Sequence, residues 1–372
     1  MLIFAVVLTV TSCSDPIFFT ISREVKPVDP RIKGTPTNFA VYDNAMYVAS
    51  GKTVYRYKDG SWTDMGPGGR ISQLAATTGA LYALCYTDSS SGVEYFIKKY
   101  DTTNGWQNVT GNPTGNNLYQ HIYAADDVLF ISAASSIGQA STDDYIVLYV
   151  QSSSSTTISS WPSSVKGEIS GAVKDGSNYF ISTKDHGILH TSAVGTAPTA
   201  ISGSEGIFFV GMIHLGTNST IAINRNGHIY TVTAPAVTRH GNISLSARSA
   251  SGALSLWEDK DNPSGNKLLL VGRQEMSEYT VTSGYTYGYV ELVLDSSGSI
   301  TGEYKEPGNG TPTSVVDGNE RYTSTIGKRP VNHIFQVPAG VDADRILFAS
   351  TQNNGVWSYR QRDGEFQWNA EE

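Results

Sequence analysis

The chain has 372 residues, of which 37 are Gly and 21 Tyr; 16% are charged and the formal net charge is −8. That length holds one large all-β domain or two average ones, and a Gly-, Tyr-, Ser- and Thr-rich makeup suits short strands and polar turns rather than long helices. No clustered Lys/Arg stripe of the kind that grips a phosphate backbone is present, so nucleic acid is not expected as a partner; the mild acidity keeps a large surface soluble.

Leu2 to Val10 is an apolar run too short to span a bilayer, and Thr11-Ser12-Cys13 follows it. The stretch resembles a bacterial lipoprotein signal: an apolar core, small residues, then a Cys that is lipidated and becomes the first residue. No Lys or Arg precedes the run, where a signal peptide ordinarily carries one. The resemblance implies a signal peptide over 1–12, lipid on Cys13 and a tether over 13–36. It also implies residence in the bacterial cell envelope, in a periplasmic or outer-surface leaflet, with the membrane reached through the lipid anchor. Within the tether, Ile17 to Ile21 reads as a strand able to pair with the last repeat and close a ring, and Pro27, Pro30 and Pro36 keep the segment extended. The second cysteine, Cys85, sits in the apolar run Leu81 to Tyr86 and reads as a small buried hydrophobe, with no disulfide and no Cys-based metal site expected.

From residue 37 onward the chain repeats itself. Tyr179 to Leu189 aligns without a gap with Leu347 to Trp357: an aromatic-rich strand, a polar turn ending in Gly, and a second apolar strand. Looser copies recur roughly every 50 residues, the mark of a β-propeller. The fold class expected over 37–372 is all-β, a propeller of about seven four-stranded blades. The first unit is the clearest, with strands at Phe39 to Tyr42, Met46 to Ser50, Thr53 to Tyr57 and Trp62 to Met65. Asp59-Gly60 joins its last two strands as a tight hairpin, because both residues tolerate positive φ; Asn104-Gly105 and Asp363-Gly364 repeat the device. Further units fall at about 121–162, 168–202, 207–244, 252–304 and 331–369.

Strand alternation sorts the loops. The loops between second and third strands share a face with the blade-to-blade connections. The long insertions, Thr87 to Gly92, Ala134 to Asp143, Gln274 to Gly288 and Lys305 to Pro330, mostly belong to that face, which therefore reads as a built-up binding surface. Four blades open their innermost strand with a polar residue followed by Ile: Arg70, His121, Glu168 and His333. As equivalent positions they are expected to ring the channel mouth. The repeat turns add Asp185, His186, Arg225 and Asn353, and one insertion adds Tyr285 and Tyr287, whose side chains give adaptable contact area. These ten residues form the candidate ligand-binding set.

Specific chemistry is sparse. His186 and His190 have helical zinc spacing but lie across a turn and strand. Glu258 to Asn262 has calcium-like composition without EF-hand spacing. No Gly-x-Ser-x-Gly elbow and no phosphate-cradling Gly loop occurs. The turns Thr183 to Gly187 and Thr351 to Gly355 resemble the Asp-box turns of sialidase-type propellers, which supports the fold and not the activity; the motif's Trp is displaced at the second site and replaced by Leu189 at the first. The expected function is an envelope lipoprotein, monomeric and without cofactor or metal, whose propeller binds a protein or glycan through its long-loop face. The alternative is a polysaccharide-active hydrolase or lyase using carboxylates in the channel mouth.

Overall fold

The computed structural model describes residues 31–90, 92–111, 118–134, 145–151, 157–161, 167–216, 219–244, 250–258, 267–273, 288–295, 298–305, 326, 329–362 and 365–371. Cys13, the 1–12 stretch, the Ile17 to Ile21 strand, Tyr285, Tyr287 and the Asp363-Gly364 turn lie outside them.

Seven four-stranded antiparallel sheets follow one another along the chain. The first blade is β1 (Ala40–Tyr42), β2 (Ala45–Ser50), β3 (Thr53–Lys58) and β4 (Ser61–Met65); the second is β5 (Arg70–Ala76), β6 (Leu81–Ser89), β7 (Gly92–Asp101) and β8 (Gly105–Asn108). The third is β9 (Leu118–Ala125), β10 (Val128–Ala134), β11 (Tyr145–Gln151) and β12 (Ser159–Ser160), and the fourth β13 (Ile169–Asp175), β14 (Asn178–Thr183), β15 (Ile188–Thr191) and β16 (Thr199–Ala200). The fifth is β17 (Phe209–His214), β18 (Thr220–Asn224), β19 (His228–Thr233) and β20 (Ala236–Ser244), and the sixth β21 (Ala250–Trp257), β22 (Lys267–Arg273), β23 (Tyr289–Leu294) and β24 (Ile300–Lys305). The seventh is β25 (Val331–Gln336), β26 (Leu347–Thr351), β27 (Gly355–Arg362) and β28 (Glu365–Ala370). In every blade the strands pair in chain order, so the fold is a seven-bladed β-propeller.

The hydrophobic core is distributed around the ring. Each of seven apolar clusters lies between two adjacent blades. This explains why second strands read as unbroken apolar runs. Along β10, Leu129, Ile131 and Ala133 face the second blade while Val128 and Phe130 face the fourth. Both sides of such a strand are buried, so strict polar alternation is absent. Cys85 belongs to one of these clusters at 0% exposure, and burial pushes its thiol up to about 12.

The first predicted turn forms as expected, whereas at Asn104-Gly105 only Gly105 (φ 68°) is left-handed and three residues, Thr102 to Asn104, join β7 to β8. Asp59 (φ 48°) and Gly60 (φ 75°) join β3 to β4. Asp43 (φ 47°) and Asn44 (φ 50°) make the same two-residue turn between β1 and β2 without a glycine. In the aligned repeat, Thr183 Oγ1 donates to the Gly187 carbonyl at 3.0 Å and Thr351 Oγ1 to the Gly355 carbonyl at 2.7 Å. The repeated Thr therefore fastens its own turn.

All four strands of the first and last blades are consecutive in sequence. Their junction is sealed by residues 31–37, which cross from the rim toward the channel. The Arg31 N–H donates to the Glu371 carbonyl at 2.9 Å, and the Gly355 N–H to the Gly34 carbonyl at 2.9 Å. Ile32 is fully buried among Phe348, Val337, Val341 and Val356. The stretch that its prolines mark as tether is thus packed from Ile32 onward.

Candidate functional site at the channel mouth

The innermost strands share a local device. Pairing between first and second strands slips by one residue in five blades, between Ile71 and Gln73, at the Ser132/Ala133 step opposite β9, between Ile169 and Gly171, between Phe209 and Gly211, and between Val331 and His333, and by two in the sixth, between Ala250 and Leu254. Each slip is a β-bulge that bends the strand at the channel wall.

Neighbouring inner strands are joined in two different ways. On one side of the ring, side-chain amides mimic a strand partner. Asn38 Nδ2 donates to the Leu74 carbonyl at 2.8 Å while its Oδ1 accepts the Leu74 N–H at 3.2 Å. Gln73 does the same to Ile122, at 2.6 and 3.0 Å, and Gln336 to Glu258, at 3.2 and 2.9 Å. On the other side, backbones touch. A Cβ on Gly211 would collide with the Gly252 carbonyl, and one on Gly171 would lie 3.2 Å from the Met212 nitrogen. Close approach excludes a side chain at Gly211 and crowds one at Gly171.

The amide-clamped side leaves a cavity of about 670 Å³. Its walls are mainly residues 35–41 and 71–76, with Tyr86, Tyr123 and Asn332 among the polar groups; the fourth blade supplies none of the described lining residues. No described lining residue is Asp, Glu, Lys or Arg.

A charged cluster lies on the face of the second-to-third strand loops. His121 Nε2 donates to Glu168 Oε1 at 2.6 Å, and Lys184 Nζ bonds the same oxygen. Burial by itself raises the Glu168 carboxyl, but the His121 and Lys184 hydrogen bonds outweigh it and hold the group below the usual carboxylate range. Lys184 and Arg225 flank the Phe208 ring at 5.9 and 5.5 Å. The backbone repeats the arrangement: the N–H groups of Lys184, Arg225 and Gln352 donate to the carbonyls of Glu168, Phe208 and Pro330 at 2.9, 2.8 and 2.9 Å.

The structure does not form one ring from the four polar residues that precede Ile. Arg70 and Glu168 lie before their bulges, at matching positions, whereas His121 and His333 lie after theirs. Glu168 and His121 meet because they belong to adjacent blades. Arg70 is exposed and pairs with Asp88 at 3.9 Å. His333 is only 6% exposed: its Nδ1 accepts the Phe39 N–H at 3.0 Å, and its ring packs 5.6 Å from that of Phe39. Desolvation pushes His333 down to about 3, so the imidazole is neutral. It belongs to the seam of the ring as much as to the cavity wall.

Asp185 is exposed in the β14–β15 turn. His186 leans over Gly167, where a Cβ would lie 2.7 Å from its Cδ2. His190 bonds Asn178 Oδ1 at 3.0 Å on the adjacent strand. Asn353 (φ 62°) accepts the Thr35 hydroxyl at 2.9 Å. Glu258 is tied to Lys267 at 2.8 Å and Arg345 at 3.1 Å. The clamping amides and the inner glycines carried no sequence signal strong enough to single them out.

No protein-family model matches the chain, and no curated protein sequence does. Solved structures match its fold. A GH74 enzyme from Niastella koreensis shares 14% identity over 91% of this chain and 55% of that one, with a TM-score of 0.56; the chain spans about half of that enzyme. YCF48 bound to D1 peptide shares 13% identity over 91% of this chain and 96% of that chain, at a TM-score of 0.52. PorZ, a bacterial surface component of the type-IX secretion system of Porphyromonas gingivalis, shares 9% identity over 92% of this chain and 38% of its own length, at 0.50. At these identities the likeness is one of fold: a seven-bladed propeller similar to bacterial surface propellers, to a peptide-bound propeller and to a hydrolase.

Proposed function

We propose that the chain is a bacterial cell-envelope lipoprotein, anchored through Cys13, whose propeller is a binding platform for a protein or glycan partner. The observation that carries this reading is the concentration of features on one face. The ends of β10 and β11, of β22 and β23, and of β24 and β25, which bracket the longest insertions, emerge there. So does the cluster of His121, Glu168, Lys184, Phe208 and Arg225. Binding is favoured over hydrolysis by the makeup of the cavity. Glycoside cleavage uses two carboxyl groups about 5–9 Å apart, and the described cavity wall holds none. Glu168, beside the mouth, is held ionised by two partners and so suits an anchoring role better than that of an acid. The peptide-bound propeller and the surface component above make binding a natural use of this fold.

The test is retention of envelope material by the immobilised protein. Combined Lys184→Ala and Arg225→Ala is expected to reduce retention, and Lys58→Ala, at a turn of the opposite face, to leave it unchanged. Equal retention by all three overturns the face assignment. Cys13→Ala is expected to move the protein from the detergent phase to the aqueous phase; a wild type without lipid overturns the anchor.

A further inference from the structure

The cavity differs in character from the charged cluster at its rim. Its described polar lining is uncharged and includes Ser72, Gln73, Tyr86, Tyr123, Asn332 and a neutral His333. A charged ligand entering it would lose water and meet no counter-charge. Its volume of about 670 Å³ lies inside the roughly 300–1,000 Å³ range of small-molecule sites.

Tyr86 gives the cavity a flat, half-buried apolar surface at its mouth. The Tyr95 ring backs it at 5.9 Å, and the hairpin carrying both is held down at Gly69. There φ is +83°, and a Cβ would lie 2.7 Å from Phe96 Cζ and 3.3 Å from the Tyr86 carbonyl. Ser72, at the bulge of β5, is exposed to the cavity. Its hydroxyl proton goes to the Leu84 carbonyl at 3.2 Å, so the oxygen faces a ligand as an acceptor. Tyr123 stays a phenol at neutral pH, raised by burial first and then by the nearby Glu168 charge. A flat apolar surface beside neutral hydroxyls matches a sugar ring, which has an apolar C–H face and an equatorial fringe of hydroxyls. A peptide strand fits less well. It would seek the inner edge of the first strands, and the Asn38 and Gln73 clamps already occupy that edge at Leu74 and Ile122.

We infer that the cavity holds the end of an uncharged carbohydrate chain, with one sugar ring laid against Tyr86 and its hydroxyls paired to Ser72 and Tyr123. This rests on the binding-face reading above and names the class of ligand that face admits.

Calorimetric titration of the full chain tests it, with cellotetraose, maltotetraose, mannotetraose and chitotetraose as neutral probes and tetragalacturonate as the charged one. Saturable binding of at least one neutral probe is expected, with none by tetragalacturonate. Tyr86→Ala is expected to weaken that binding about tenfold or more, and Tyr86→Phe to stay within about twofold. Ser72→Trp, which fills the mouth, is expected to abolish it. Should Tyr86→Ala fail to fold, Ser72→Trp decides, with its own thermal melt as the control. Preference for tetragalacturonate overturns the inference, as does neutral binding that neither variant changes. If no neutral probe binds while envelope material is still retained, the carbohydrate inference falls and the binding face stands. If neither binds, both fall.

Discussion

The indole N–H of Trp62, on the outer strand of the first blade, donates to Glu371 Oε2 at 2.8 Å, across 309 positions of sequence. The other carboxylate oxygen accepts from the Ser358 hydroxyl and lies 3.1 Å from Arg360. Tyr57 and Phe348 pack on the same indole at ring distances of 4.9 and 5.6 Å. One acidic side chain thus gathers the donors of both blades at the seam. Glu371→Ala is expected to cost about 2 kcal/mol, since two buried donors lose their acceptor, while Arg360, half exposed, regains water. Ile32→Ala, in the same seam, should cost about 2–5 kcal/mol through the cavity it leaves. Urea melts monitored by tryptophan fluorescence measure both; midpoints equal to wild type would show that the ring is sealed elsewhere.

His333 makes stability depend on pH. Its folded value is near 3 against an ordinary 6.5, so below 6.5 the unfolded chain takes up a proton that the folded chain refuses. Stability is full above 6.5 and falls as pH drops toward the folded value, by about 1.4 kcal/mol per pH unit at most. His333→Gln keeps an acceptor for the Phe39 N–H and removes the titration. Between pH 6.5 and 5 its melting temperature should fall less steeply than that of wild type; parallel slopes would contradict a neutral buried imidazole.

Gly211 and Gly252 leave no room for a side chain. Gly211→Ala places a methyl against the Gly252 carbonyl, and Gly252→Ala places one against the Val210 carbonyl. Backbone cannot swing aside as a side-chain end can, so each is expected to cost about 3 kcal/mol or more. Gly60→Ala, at a turn with open space around it, should cost less and only through its positive φ. Thermal melts of the three rank them; a mild Gly211→Ala would mean that the fifth and sixth inner strands can separate.

Glu168→Gln removes the charge that Lys184 and His121 share. At pH 7 the loss is expected to be about 1–3 kcal/mol, the scale of hydrogen bonds to a charged group. Because the carboxyl is held below its ordinary value of 4.5, the wild-type advantage is present above that pH and is lost as pH falls through the depressed value. Wild type and variant should therefore converge as pH falls below 4.5, which melts at a series of pH values from 7 downward would reveal.

Much of the ring was legible from sequence because blades are local objects. Each strand pairs with its chain neighbour, and a two-residue turn such as Asp59-Gly60 carries its own signature. Cys85 could be placed because the apolar run around it left no other role. Relations between blades were not legible in this way. Asn38 and Gln73 look like ordinary strand polar residues until their partners Leu74 and Ile122, 36 and 49 positions away, are brought alongside. The polar-Ile pairs agree in residue type but not in register, because a bulge adds one residue before His121 and His333 and after Arg70 and Glu168. A one-residue slip turns a side chain to the opposite side of a strand, so no pattern of residue types alone could tell which of the four look outward. A tether and a docked segment also read alike. Pro36 fits both, and only the burial of Ile32 separates them.

The division of the inner wall into glycine contacts and amide clamps bears on how a ligand is met. Seven equal blades would offer a symmetric socket, in which a small molecule could settle in seven equivalent poses and be held well in none. Here the fourth to sixth inner strands close on one another, and the hollow is displaced toward the first and second. The displacement makes the seven sides of the cavity wall chemically unequal. Because Asn38 and Gln73 set the spacing there with side chains rather than backbone, the aperture can be retuned by single substitutions that leave every blade intact.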